Sequence, residues 1–183
     1  MGLAMSRRRR VPYRFTEKGQ CRWCGKPPKS PRRTWCSQEC VDAYLIRSDP
    51  GFARRKVFDR DSGICAVCGL DCVALRSTLR EMMKDLKRQF YHDPEPGRYQ
   101  RLFHEFREGL ERYGLWRFLF RSAWEADHIL PVTEGGGECG LDNYRTLCWR
   151  CHANETAALA ARRADARRVG RSNILDDGMN QQQ

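Results

Sequence analysis

The stretch EADHILPVTEGGGECGLDNYRTLCWRCH occupies residues 125–152 and decides the fold of this 183-residue chain. EADHILPV predicts a strand, which Pro131 and the glycines at 135–137 bring to an end. YRTLC predicts a second strand, and a helix that begins near Cys148 is expected to carry His152. The stretch therefore predicts a β-β-α hairpin with a helix laid across it.

The chain contains ten cysteines, and eight of them are closely paired. In a chain without an export signal, such pairs favour zinc over disulfides, because two thiolates on one turn can reach the same tetrahedral ion. We expect two structural Zn²⁺ sites. Cluster 1 is Cys65, Cys68, Cys148 and Cys151, and cluster 2 is Cys21, Cys24, Cys36 and Cys40. Cys72 and Cys139 are left over, and Cys72 competes with Cys68 for its place.

Four polar residues near the hairpin have the chemistry of a phosphodiester-cleaving site. Such hydrolysis needs an activated water, a Lewis acid and accurate placement. His128 is the predicted general base, because an imidazole titrates near neutral pH. Asp127 and His152 offer an oxygen and a nitrogen ligand to a divalent metal ion, and Asn143 is placed to hold the His128 segment by hydrogen bonds. Considered singly, each residue also has a purely structural interpretation, as the cap of a turn or as a buried group that forms local hydrogen bonds.

The formal net charge is +11 and the isoelectric point is about 9.4, which favours an anionic partner and nucleic acid first. Eight thiolates that bind two Zn²⁺ would lower the charge by about four units and leave it positive. The alternative interpretation of the positive charge is a solvated basic surface that binds no partner. The candidate phosphate contacts are Arg7, Arg8, Arg9, Arg10, Arg55, Lys56, Arg150, Arg162 and Arg163.

The segments RRKVFDRDSGICAVCG, ADHILPV, GLDNYRTLC and CWRCH together resemble the HNH endonuclease family in its four-cysteine form. The resemblance implies a small zinc-stabilised α+β fold with a ββα-metal core. It assigns the catalytic metal ion, Mg²⁺ or Mn²⁺, to Asp127 and His152, the general base to His128 and the orienting position to Asn143. A wider likeness, which includes the first zinc unit and GGGECGLDN, is to the HNH modules of vertebrate annealing helicases. It implies action on branched or fork DNA.

This reading divides the chain into segments. Residues 1–19 are predicted to be a flexible basic arm and residues 20–48 an N-terminal zinc finger, in which Ser37 begins a short helix. Residues 53–170 are the predicted HNH nuclease domain, with a helical insertion at 73–123. Residues 171–183 are predicted to be a disordered polar tail.

A metal-dependent DNA endonuclease is the leading hypothesis. The alternatives are a non-catalytic zinc module that binds nucleic acid or recruits a partner, and a nuclease that acts on RNA. We expect DNA, double-stranded or branched, and a separate helicase or motor protein as partners, because these residues carry no helicase motif. No apolar run reaches the roughly 20 residues that span a bilayer, so we expect an intracellular protein, in the cytoplasm or nucleoid of a prokaryote or virus or in a eukaryotic nucleus.

Overall fold

The computed structural model describes residues 11–91, 95 and 97–179. Short 3-10 turns at Trp116–Leu119, Val132–Glu134 and Leu141–Asn143 connect some of the regular elements. The regular elements are α1 Gln38–Ser48, α2 Pro50–Asp61, α3 Cys72–Tyr91, α4 Arg98–Arg112, β1 Trp124–His128, β2 Tyr144–Cys148 and α5 Trp149–Met179. β1 and β2 form a two-stranded sheet, and α5 follows β2 directly, which confirms the predicted small α+β fold.

Contacts divide the described chain into two compact units. The first contains the residues up to Gly63 together with Ala126–Thr146, and the second contains Ile64–Glu125 together with the residues from Leu147 onward. The segments predicted from the sequence are continuous stretches of chain, whereas each of these two units combines two separate stretches. The N-terminal finger groups with α2 because α1 packs against α2, where Lys56 forms a 2.7 Å ion pair with Asp42.

Side-chain caps define the helices of the first unit. The Ser37 hydroxyl accepts a hydrogen bond from the Cys40 amide at 3.4 Å, so the predicted N-cap of α1 is present. Asp49 caps α2 through the amides of Gly51 and Phe52, at 2.8 and 3.1 Å. α2 begins with Pro50, whose fixed φ suits a first helical position.

Residues 11–19 pack against the finger, so this part of the predicted flexible arm is ordered; residues 1–10 lie outside the described chain. The Tyr13 ring contacts the rings of Trp35, edge to face, and Tyr44, with centroids 6.0 and 5.1 Å apart respectively. The Tyr44 hydroxyl donates to the Val11 carbonyl at 3.1 Å. These aromatic contacts and this bond outweigh the basic composition from which the arm was predicted.

An arginine–aspartate pair joins the end of α2 to β2. Asp61 accepts bonds from the Thr146 amide at 3.1 Å and from its hydroxyl at 2.9 Å. Thr146 is fully buried, so these bonds satisfy polar groups that water cannot reach. Arg60 binds Asp61 and also donates to the carbonyls of Leu141 and Tyr144 at 2.9 and 2.7 Å. The pair thereby fixes the start of β2.

The second unit contains the predicted helical insertion. α3 begins at Cys72, where the Asp71 carboxylate accepts bonds from the amides of Val73 and Ala74. Leu79, Leu110, Phe118 and Leu119 are buried among the described apolar side chains of α3, α4 and the following turn. The Phe118 ring also packs on Trp149 of α5 at 4.8 Å between centroids. The insertion therefore has a core of its own and contributes to the packing of α5.

α5 continues to Met179, so residues 171–179 are helical where a disordered tail was predicted; residues 180–183 lie outside the described chain. No proline interrupts the sequence there, and extending an existing helix is far easier than nucleating one. None of the helices in the described residues is long and apolar enough to cross a membrane.

Removing the Asp61 carboxylate tests the junction between α2 and β2. We expect Asp61→Ala to lower the free energy of unfolding by roughly 1–3 kcal/mol for each of the two Thr146 donors left without an acceptor. Urea unfolding followed by tryptophan fluorescence measures this loss. Asp59→Ala is the matched control, because it removes the same charge from an exposed site on the same helix. Equal losses in the two variants would contradict the assignment.

Candidate functional site

Cluster 1 brings four cysteines together within the second unit. The Sγ atoms of Cys65, Cys68, Cys148 and Cys151 all lie within 4.8 Å of one another. The Cys65 amide donates to the Leu70 carbonyl and the Gly69 amide to the Cys65 carbonyl, both at 2.9 Å, which curls the turn around the first two thiols. Gly69 has a φ of +72°, which a glycine adopts without strain.

Cluster 2 is built in the same way within the first unit. The Sγ atoms of Cys21, Cys24, Cys36 and Cys40 also lie within 4.8 Å of one another. The Cys21 amide donates to Lys26 and the Gly25 amide to Cys21, again both at 2.9 Å, and Gly25 has a φ of +75°. The two C-x-x-C-G sequences thus form the same turn at separate places in the chain.

The sulfur separations fit a tetrahedral metal site. The Cys24 and Cys36 Sγ atoms are 3.4 Å apart, and those of Cys68 and Cys148 are 3.7 Å apart. Sulfurs about 2.3 Å from a central Zn²⁺ in tetrahedral geometry are separated by roughly 3.8 Å. All ten cysteines are free thiols, so disulfides do not hold either set together. Both clusters could hold zinc.

The thiol pKa values within each cluster are spread widely. Burial raises the pKa of Cys65, but backbone hydrogen bonds from Cys148 and Cys68 outweigh it and lower the pKa to about 6. The pKa of Cys21 is shifted in the same way. Burial raises it, but backbone hydrogen bonds from Cys24 and Cys36 outweigh the burial and lower the pKa to about 6. Burial and the neighbouring Cys36 raise the pKa of Cys40 to about 12. A cation at the centre would stabilise the thiolates that otherwise repel one another.

The two remaining cysteines lie outside both clusters. Cys72 is buried, and burial raises its pKa to about 12, so it is an inert thiol at the start of α3. Cys139 is half-buried in the loop between the strands, next to Tyr144. The structure groups Cys68, and not Cys72, with the other three thiols of cluster 1.

Asp127 and His128 lie at the end of β1, in the first unit. The His128 ring packs on Tyr144 with centroids 4.4 Å apart. Burial lowers the pKa of His128 below its usual 6.5, against the opposing effect of the Asp127 charge. The neutral imidazole that a general base requires is therefore the favoured form near neutral pH.

Arg145 of β2 forms an ion pair with Asp127, with Nη2 and Oδ2 3.5 Å apart. Both side chains are 22% exposed, so water screens the pair only in part. Arg145 is not among the site residues that the sequence predicts. The available signal was its place in a strand that pairs with β1, since oppositely charged residues often face each other across paired strands.

Asn143 clamps the loop that follows His128. Its Oδ1 accepts from the Leu130 amide at 2.8 Å, and its Nδ2 donates to the carbonyls of Leu130 and Gly136, both at 3.1 Å. Its own carbonyl accepts from the Ile129 amide at 2.8 Å. These are hydrogen bonds of the kind expected from the sequence, and they fix the chain directly after the imidazole.

Gly136 lets the loop close around this clamp. It is buried, and a Cβ atom there would overlap the Leu130 carbonyl group and come within 2.9 Å of the Asn143 side-chain nitrogen. The Gly136 amide donates to the Pro131 carbonyl at 2.9 Å. The glycine-rich loop is thus a steric requirement of the Asn143 interaction rather than a flexible link.

His152 lies on the first turn of α5, in the second unit, whereas the other three predicted site residues belong to the first. It lines a cavity of about 400 Å³ together with Arg117, Arg121 and Glu125. The two arginines come from the end of the helical insertion and were not predicted as site residues. No short motif marks them, because only the packing of the insertion against α5 brings them beside His152.

The predicted phosphate contacts have varied surroundings. Lys56 is paired with Asp42, which raises the pKa of the lysine. The Arg55 and Arg150 guanidiniums lie over the rings of Phe52 and Trp149, at 5.5 and 5.3 Å. Arg162 and Arg163 are exposed on α5, and Arg7, Arg8, Arg9 and Arg10 lie outside the described residues. Contact with nucleic acid stays a prediction for all of them.

Comparisons with known proteins agree on one kind of domain. Residues 113–158 match the family model of HNH endonucleases. The chain is similar to the DNA annealing helicase and endonuclease ZRANB3 of Mus musculus, with 32% identity over 158 residues, which cover 81% of this chain and 14% of the relative. The Homo sapiens relative of the same name is 33% identical over 134 residues, 73% of this chain and 12% of the relative.

The crystal structure of the human ZRANB3 HNH domain is similar at 32% identity, with a TM-score of 0.42, over 66% of this chain and 97% of that one. The chain spans about one seventh of the length of the curated relatives it matches.

Proposed function

The chain belongs to the HNH endonuclease family, and on that premise we propose that it is a metal-dependent endonuclease that hydrolyses phosphodiester bonds in DNA. The observation that carries this proposal is the surroundings of His128. Its pKa is lowered by burial, and the chain that follows it is held by four hydrogen bonds of Asn143. A neutral imidazole on a fixed backbone is the requirement for a general base.

The donor set suits a hard divalent ion such as Mg²⁺ or Mn²⁺. We assign the Asp127 carboxylate and the His152 imidazole as its ligands, as the family resemblance implies, and water and phosphate oxygens would complete the set. When bound, the ion supplies Lewis-acid stabilisation of the charge that develops on the phosphate and on the departing 3′ oxygen. Arg145 holds the Asp127 carboxylate in one orientation through their ion pair.

His128 accepts the proton of the attacking water. The Tyr144 ring covers the imidazole on one side and restricts its rotation. Asn143 sets the position of the imidazole through the backbone of Ile129 and Leu130 and does not itself touch the reacting atoms. We therefore assign His128 as the catalytic base and Asn143 as a positioning residue.

Arg117 and Arg121 are well suited to bind the substrate backbone. Both line the cavity that contains His152, and guanidinium groups bind phosphate oxygens through paired hydrogen bonds. The family commonly has a basic residue shortly after the last histidine, a place that Glu155 takes here. These two arginines supply the missing positive charge from a different element.

DNA, including branched or fork DNA, is the proposed substrate. The proposed location is the nucleoid or the nucleus. Support comes from the net charge of +11 and from relatives whose name is DNA annealing helicase and endonuclease. A separate helicase or motor protein is the corresponding proposed partner. We also propose that clusters 1 and 2 each bind a structural Zn²⁺, because four thiol sulfurs within 4.8 Å of one another suit the tetrahedral coordination of that ion.

Replacing His128 tests the catalytic assignment. We expect His128→Ala to slow Mg²⁺-dependent nicking of supercoiled DNA by roughly 10²–10⁴-fold, the usual contribution of a general base. Parallel incubations with linear, single-stranded and forked DNA, and with Mn²⁺ or EDTA, define the substrate and the need for the ion.

His104→Ala is the matched control, because the His104 side chain is 70% exposed on α4. It should nick at the wild-type rate, and zinc content should be the same in all three proteins. Equal activity of His128→Ala and wild type would refute the role of His128. DNA binding without cleavage under every condition would favour the non-catalytic zinc module.

The pH dependence of cleavage reports the state of His128. Cleavage is lost as pH falls and the base becomes protonated. Because burial lowers the His128 pKa, the midpoint of this acid limb in kcat/KM should lie below 6.5. Tyr144→Ala removes the covering ring and should move the midpoint upward. A wild-type midpoint above 6.5, or no change in the variant, would contradict this account.

Metal analysis of the purified chain should find about two Zn²⁺ per molecule. Cys68→Ser should reduce the content to about one, because it removes a ligand from cluster 1 only. Cys139→Ser is the matched control and should retain the wild-type content, since Cys139 lies outside both clusters. A wild-type content near one would argue against one of the two sites.

A further inference from the structure

A cavity of about 620 Å³ lies within the second unit, between α3, α4 and the turn at Trp116–Leu119. Its walls are unusually rich in aromatic rings. Phe103 stands 5.7 Å from Tyr99 and 5.8 Å from Trp116, and Trp116 stands 5.8 Å from Phe120, measured between ring centroids. The proposed cleavage reaction uses none of these residues.

The same cavity is lined by three cations of α3, Arg80, Lys84 and Lys87, and no carboxylate lines it among the residues that the structure describes. Arg80 donates from Nε to the Leu119 carbonyl at 3.2 Å, which ties it to the turn that carries Trp116. Lys84 pairs with Glu81 at 2.7 Å, but both side chains are more than half exposed. Such a surface pair is weak, so an incoming phosphate can compete for the lysine.

Phe120 is the wall residue that points most clearly to a ligand, because its apolar side chain is 67% exposed. A phenyl ring left in water beside three cations contributes little to the insertion's own core, which Leu79, Leu110, Phe118 and Leu119 form. Exposed aromatic rings flanked by cations are the means by which proteins bind single-stranded nucleic acid. Bases stack on the rings, and the basic side chains follow the phosphates.

We propose that this cavity, the insertion pocket, binds an unpaired nucleotide of single-stranded nucleic acid. The base stacks against the exposed Phe120 ring, and the adjoining phosphates lie against Lys84 and Lys87. The pocket's size suits one or two bases, and its charge selects a polyanion over a neutral apolar segment of another protein. The inference rests on the proposed function for its use, since it would direct the nuclease to DNA with single-stranded regions.

Binding to labelled oligonucleotides tests the pocket without requiring cleavage. The probe is a fluorescein-labelled thymidine strand of about 12 nucleotides, a length in the usual range for one binding module, measured by anisotropy in EDTA-free buffer without Mg²⁺. An abasic strand of the same length has the same phosphates and no bases. We expect the wild type to prefer the thymidine strand, and Phe120→Ala to weaken its binding by roughly 5- to 150-fold while leaving abasic binding unchanged.

Two matched controls separate stacking and position from general effects. Tyr113→Ala removes another ring that is 62% exposed in the insertion but does not line the pocket, and it should bind as wild type. Lys87→Glu and Arg112→Glu change the net charge equally, and only the first removes a pocket cation. Lys87→Glu should weaken binding of both strands more than Arg112→Glu does.

The outcomes distinguish this inference from the proposed function. Equal thymidine binding by Phe120→Ala and wild type, equal losses in Phe120→Ala and Tyr113→Ala, or equal binding of thymidine and abasic strands would each overturn the pocket assignment. Tighter binding of an acidic aromatic peptide than of the oligonucleotide would overturn it in favour of a protein partner. The binding assay contains no Mg²⁺ and requires no cleavage, so failure of cleavage alone would refute only the nuclease proposal.

Discussion

The second unit depends on the closure of cluster 1. Cys68 and Cys148 are 80 positions apart in the chain, yet their sulfurs lie 3.7 Å from each other. Two of the four thiols stand before α3 and two stand at the junction of β2 and α5, so the whole helical insertion is enclosed between them. Few apolar side chains are buried in the described part of this small chain, and a metal ion at the cluster would supply stability that so limited a core cannot.

A second constraint acts on the loop between the strands. Asn143 bonds to three separate positions of that loop, and the close approach of Leu130 and Gly136 leaves no space for a side chain at Gly136. At the end of this loop, where β2 begins, two residues of α2 hold the chain. Arg60 bonds to Leu141 and Tyr144, and Asp61 bonds to Thr146. Local hydrogen bonds, rather than a large core, therefore hold His128 and its neighbours in place.

The helical insertion is more than a spacer between the cysteine pairs. It supplies Arg117 and Arg121 beside His152, and it forms a separate aromatic pocket with a basic rim. In the proposed function, Asp127, His128, Asn143 and His152 serve the cleavage of the phosphodiester, whereas other surfaces of the chain select the nucleic acid. The insertion offers such a surface, because the proposed role of its pocket is to bind unpaired nucleotides.

The sequence by itself determined both cysteine clusters, the two strands, the Ser37 cap and the Asn143 bonds, because each depends on short spacings or on chemistry that few residues can perform. Only the tertiary structure decided the packing of residues 11–19 on the finger, the Arg145–Asp127 pair, the buried Asp61–Thr146 bonds and the surroundings of His152. These contacts join segments far apart in the chain, and single arginines and aspartates are too common on protein surfaces to indicate their partners. Helix α5 likewise passes its predicted end, because composition alone does not specify where an uninterrupted helix stops.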